Sequence, residues 1–126
     1  MATDIKTKIL YVEDEYITRI DVKSMLSTKY KNILLAKDGN DGYKLFMSEN
    51  PDVIITDIKM PVMDGIQMTE KIRAINKTVP IVVASAFDQE FVKFDNLNIF
   101  GYLTKPITKF SLLIMIENAI LQSMNN

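Results

Sequence analysis

A chain of 126 residues, 48% apolar and 25% charged, is the size of one domain, and folding at this length hides about two-thirds of the surface of the unfolded chain. Its formal net charge of -1 offers no field to attract nucleic acid or an anionic membrane, so neither is expected as a ligand. The sequence has no Cys and no His, which excludes disulfides, thiolate nucleophiles, sulfur or imidazole metal sites and imidazole bases, and leaves carboxylates, hydroxyls and lysine to carry any chemistry.

The stretch Met1 to Lys8 is polar, and the first apolar run, Lys8 to Val12, ends at once in Glu13-Asp14-Glu15. There is no signal-peptide core and no transmembrane length, so the cytoplasm is the expected compartment. Four further runs read as strands, at Asn32 to Ala36, Val53 to Asp57, Pro80 to Ser85 and Gly101 to Thr104. Val53-Ile54-Ile55 and Ile81-Val82-Val83 are continuous rather than alternating, as in parallel strands covered by helices on both faces.

Each gap has room for one helix. Tyr16 to Ser27 carries Val22, Met25 and Leu26 as its buried stripe, and Gly42, Leu45 and Phe46 mark a second helix stopped by Asn50-Pro51. Met68, Ile72 and Ile75 form the stripe of a third, after Gly65. A fourth is expected within Asp88 to Asn96, anchored by Phe91, Val92 and Phe94. The fifth runs from an N-cap at Thr108 to about Gln122 on Leu112, Leu113, Ile116 and Ile120. Strand and helix alternating five times predicts an α/β fold, a doubly wound five-stranded parallel sheet with five helices. Ligand sites of such sheets lie beyond the carboxyl ends of the strands.

Those ends are all polar or charged: Glu13 and Asp14 after the first strand, Asp57 ending the third, Ser85 ending the fourth, Lys105 just past the fifth. Three carboxylates brought together repel one another unless a cation holds them. With oxygen ligands alone, Mg²⁺ is the natural occupant. Lys105 adds a positive charge suited to a phosphoryl oxygen or to neutralising Asp57, and Ser85 can donate to a second oxygen. This set suits attack by a carboxylate oxygen on phosphorus, giving an acyl phosphate on aspartate.

At these residues the chain resembles the response-regulator receiver family of two-component signalling, with chemotaxis-regulator-like proportions. The pair Glu13-Asp14, the segment Thr56 to Gly65, Ala84-Ser85-Ala86 and Thr104-Lys105-Pro106 stand in the family's order and span essentially the whole chain, so that 1–126 reads as one receiver domain. The resemblance implies the flavodoxin-like strand order 2-1-3-4-5. It implies that Asp57 accepts the phosphoryl group, and that Asp14, Asp57 and the backbone carbonyl of Lys59 bind Mg²⁺ with Glu13 acting through water. Lys105, with a cis peptide before Pro106, binds phosphate, Ser85 moves to meet it, and Tyr102 is the aromatic that reports the state. Lys59 and Phe87 flank the path of attacking water in the family, so a long cation and a bulky ring here predict slow hydrolysis.

A haloacid-dehalogenase-like enzyme would need an Asp where Lys59 stands, and a flavodoxin-like cofactor protein would need a phosphate loop where Glu13-Asp14-Glu15 stand. The expectation is therefore a phosphorylation switch rather than an enzyme, assisting only its own phosphorylation and dephosphorylation. The donor is a histidine kinase or histidine phosphotransfer protein. Output passes to a separate target or a fused output domain, across a face built from the fourth helix, fifth strand and fifth helix. That face is expected to gather Phe91, Phe94, Phe100, Tyr102, Ile114, Met115 and Leu121, and to allow a homodimer.

Overall fold

The computed structural model describes residues 4–124. The elements follow in chain order as β1 (Asp4–Val12), α1 (Tyr16–Leu26), β2 (Tyr30–Ala36), α2 (Gly39–Glu49), β3 (Val53–Asp57), α3 (Gly65–Ile75), β4 (Ile81–Ser85), a 3₁₀ helix (Asp88–Phe94), β5 (Gly101–Thr104) and α4 (Lys109–Met124). All strand pairs are parallel, and the sheet order is β2-β1-β3-β4-β5.

The continuous apolar runs divide by strand parity between two cores. Ile9, Tyr11, Val53, Ile55, Val82 and Ala84 face α1 and α4, where Val22, Leu26, Leu112, Ile116 and Ala119 close the layer. Leu10, Val12, Ile54, Ile81 and Val83 face the other way, against Phe46 of α2, Met68 and Ile72 of α3, and Phe94. A strand buried on both faces has no reason to alternate.

Helix ends carry their own signals. Asp38 caps α2 by accepting from Asp41 N at 2.8 Å, and Asn50 ends that helix in the left-handed region, where Asn is tolerated. Asp64 and Gln67 form a reciprocal capping box at the start of α3. Thr108 Oγ1 accepts from Ser111 N at 3.2 Å, as an N-cap at that position should.

Several details differ from the sequence reading: β1 starts at Asp4 and β2 at Tyr30, ahead of the apolar runs at Lys8 and Asn32. The segment after β4 is a 3₁₀ helix over Asp88–Phe94, with Val92 63% exposed. Its inward residues, Phe91 and Phe94, are three apart, and a helix with three residues per turn puts them on one side. In α3, Ile75 is 56% exposed while Arg73 is buried. The last turn of α3 faces the segment before β5, where the Arg73 guanidinium donates to the carbonyls of Leu97 and Asn98, each at 2.7 Å. The face expected to gather aromatic residues also loses members. Phe94 is fully buried, Phe100 and Met115 pack on the α1–α4 core, and Met115 lies so close to Gly101 that a side chain there would strike it.

Candidate functional site

The parallel register sets the edge from which the site is built. Val12 pairs with Thr56, Asp57 with Ala84, and Ser85 with Thr104, so the residues at or just past the strand ends emerge side by side. The amide of Lys105 donates to Ser85 O at 2.8 Å, extending the ladder one step and fixing the root of the lysine beside the end of β4. The peptide between Lys105 and Pro106 is cis.

Glu13, Asp14 and Asp57 each bring a carboxylate oxygen within 4.8 Å of the other two. Glu13 is almost wholly buried, at 1% exposure. Its Oε1 accepts from the Tyr11 hydroxyl at 3.2 Å and from Lys105 Nζ at 2.9 Å, and its Oε2 from Glu15 N at 3.2 Å. Asp57 Oδ1 accepts from Ile58 N at 2.9 Å and lies 3.3 Å from Lys105 Nζ. Its other oxygen takes no hydrogen bond from the described residues, so one oxygen is held while the other stays open to a ligand.

The charges explain the protonation behaviour. Burial and the charge of Glu13 raise the Asp14 carboxyl above its ordinary value. Burial works to lower the Lys105 ammonium, but the hydrogen bond to Glu13 and the charges of Asp57 and Glu13 outweigh it and leave the pKa raised. Lys105 is therefore a cation at neutral pH, paired with Glu13 and Asp57 in a cluster of three carboxylates. The excess negative charge, carried on oxygen donors alone, fits a hard divalent cation.

The loop from Ile58 to Asp64 is held close to Asp57. Gly65 N donates to Ile58 O at 2.7 Å and Gly39 N to Met63 O at 2.8 Å. A Cβ on Gly65 would run into the carbonyl of Asp57, and one on Gly39 into the carbonyl of Met63. Only glycine permits these approaches of α3 and α2 to the loop.

The remaining expected residues are placed less uniformly. Ser85 ends β4, but its hydroxyl is occupied: it accepts from Phe87 N at 3.0 Å and lies 3.0 Å from Glu90 Oε1 and 3.2 Å from Phe87 O as donor. Lys59 reaches 3.5 Å from Glu90 Oε2 while staying largely exposed. The Phe87 ring is 55% exposed. Tyr102 is half-buried, with its ring 4.5 Å from that of Phe91 and packed against the α2–α3 core.

Sequence reasoning missed three contributors. Tyr11, two residues before Glu13 on the same face of β1, lends its hydroxyl to the site, a position parity could have revealed. Arg19 Nη1 donates to the carbonyls of Glu13 at 2.7 Å and Asp14 at 3.3 Å, tying α1 to the acidic pair. Glu90 carries no sequence signal, because only the path of the 3₁₀ segment brings it to Ser85.

The family model for the response regulator receiver domain matches residues 9–117. The chain belongs to that family. PilH of Pseudomonas aeruginosa is 34% identical over 118 residues, covering 90% of this chain and 97% of PilH. The transcriptional regulatory protein PdtaR of Mycobacterium tuberculosis is 34% identical over 119 residues, 92% of this chain and 58% of PdtaR. The chain spans about half the length of most curated relatives it matches. Among solved structures, the N-terminal domain of an uncharacterized protein of Wolinella succinogenes superimposes with a TM-score of 0.87 at 34% identity, covering 94% of this chain and 98% of that one. The fold is that of the chemotaxis-type receivers, with strand order 2-1-3-4-5, and the domain is a phosphorelay signalling switch of two-component systems. Receiver domains bind Mg²⁺ at an acidic pocket, and this chain carries an acidic cluster of Glu13, Asp14 and Asp57. Among the described residues no helix is long and apolar enough to cross a membrane.

Proposed function

We propose that this receiver, taking residues 1–126 as one domain whose ends lie outside the described residues, accepts a phosphoryl group on Asp57 and acts in the cytoplasm as a switch rather than an enzyme. The observation that carries the reading is the meeting of three carboxylates within 4.8 Å, with one ammonium 3.3 Å from Asp57. Asp14, Asp57 and the carbonyl of Lys59 would hold Mg²⁺, with Glu13 reaching it through water. The ion, when bound, screens the carboxylates from the incoming phosphoryl group and balances charge on its oxygens.

The chain's own residues supply the rest. The backbone amide of Ile58 fixes one Asp57 oxygen and leaves the carboxylate aimed out of the strand end. Its attack forms an O–P bond as the bond from phosphorus to the donor breaks, and the leaving group departs with its electron pair. Lys105 follows the transferred group as a point charge, and Ser85 donates to another phosphoryl oxygen. With no His on this chain, the donor imidazole belongs to a histidine kinase or phosphotransfer protein, or to another domain. Exposed Tyr16, Ile17 and Ile20 on α1, beside the site, suit the approach of an apolar helix.

The signal leaves through the surface of the 3₁₀ helix, β5 and α4, toward a separate target, a fused output domain or a second copy. Phe91 and Tyr102 are half-buried there; Leu121, expected on this face, instead lies on the opposite flank of α4 beside Lys29, Tyr30 and Glu117, and Ile114, one and two turns before Glu117 and Leu121, shares that stripe. Incubation with a small phosphodonor and Mg²⁺ is expected to add one phosphoryl group by intact mass, with none added in Asp57→Asn or in EDTA. A modified Asp57→Asn protein would overturn the assignment.

A further inference from the structure

The hydroxyl that should meet the phosphoryl group is already engaged. Ser85 Oγ lies 3.0 Å from Glu90 Oε1 and 3.2 Å from Phe87 O; a hydroxyl has one proton to give, and the carboxylate is the nearer and stronger of the two acceptors. Glu90 is held for this contact: its side chain is 12% exposed, and its second oxygen lies 3.5 Å from Lys59 Nζ and 3.8 Å from Lys93 Nζ. One side chain thus joins the end of β4, the loop after β3 and its own 3₁₀ helix.

We propose that Glu90 is a positioning residue that competes with the phosphoryl group on Asp57 for the hydroxyl proton of Ser85, holding the domain in its unphosphorylated form. The inference rests on the phosphoacceptor reading of Asp57. For Ser85 to donate to a phosphoryl oxygen, its bond to Glu90 must break, and Glu90 then keeps only its lysine partners. Its helix is a short 3₁₀ segment with poorer hydrogen-bond geometry than an α-helix. The same segment carries Phe91, packed 4.5 Å from Tyr102, so release of Glu90 is transmitted to the aromatic pair on the output face.

The test is a thermodynamic cycle read by titrating beryllofluoride, a stable phosphoryl mimic, in saturating Mg²⁺ by calorimetry. Glu90→Ala should tighten beryllofluoride binding by roughly tenfold, since a charge-assisted hydrogen bond no longer competes. Glu90→Gln, which keeps an acceptor without the charge and preserves volume, should tighten it by only about two- to threefold. In a Ser85→Ala background the tightening by Glu90→Ala should vanish, because no hydroxyl remains to be contested. Tightening that survives intact in Ser85→Ala would mean that Glu90 acts only by through-space charge, and would overturn the proposal. So would unchanged or weaker binding in both Glu90 variants. Failure of the wild type itself to bind beryllofluoride would refute the phosphoacceptor reading, and this inference with it.

Discussion

Asp14→Asn should have opposite consequences with and without metal. An Asp14 oxygen lies within 4.8 Å of oxygens on Glu13 and Asp57, and at that separation two like charges repel by about 1 kcal/mol in a water-like dielectric and about 3.5 kcal/mol at an effective value near 20. Asp14 is exposed, so the lower figure applies for each neighbour, and Lys105 offsets part of it. Removing the charge should therefore stabilise the metal-free domain by about 1 kcal/mol, or about 4 °C in Tm. Burial first and Glu13 second raise this carboxyl above 3.8. A raised acid contributes stability at low pH that is lost as pH climbs through the folded value. The two proteins should thus be alike in acid, diverge as pH rises past 3.8, and stay apart at neutrality. Mg²⁺ at tenfold its Kd adds about 1.4 kcal/mol to the wild type, and should add much less to the variant, so the ranking inverts. Thermal or urea melts in EDTA and in Mg²⁺ measure this. Lower stability of Asp14→Asn in EDTA, or an equal gain from Mg²⁺ in both proteins, would refute the charge argument.

Combining Lys59→Asn with Phe87→Glu should speed loss of phosphate from Asp57, because groups able to orient water replace a cation and an apolar ring; an unchanged dephosphorylation rate would dismiss that role for both positions. Gly65→Ala places a methyl group against the Asp57 carbonyl and should cost about 2 kcal/mol in urea melts while slowing phosphorylation; a neutral effect would show that the loop gives way freely. Val62, exposed and at φ 70, sits where a β-branched residue is strained, so Val62→Asn should stabilise by about 1 kcal/mol. Sedimentation with and without beryllofluoride checks the output face: a shift toward dimer is expected for a second copy, and unchanged behaviour would leave only a heterologous partner there.

The strands, their parallel arrangement and the residues at their carboxyl ends were legible in the sequence for one physical reason. A right-handed crossover returns every strand in the same direction, so Glu13, Asp57, Ser85 and Lys105 had to emerge at one edge whatever the details of packing. Val53 and Ile55 against Ile54 are equally legible, because strand parity alone assigns residues to faces. Partnership within the site was not. Lys105 sits closer to Glu13 than to Asp57, a choice made by side-chain reach across 92 residues of sequence separation. Burial of Arg73 in place of Ile75 depends on the carbonyls that the segment before β5 presents to the end of α3. The capture of Ser85 by Glu90 exists because the segment after β4 winds three residues to the turn around Phe91 and Phe94. Local sequence sets what each element can offer; only the closing of distant elements on one another decides which offers are taken.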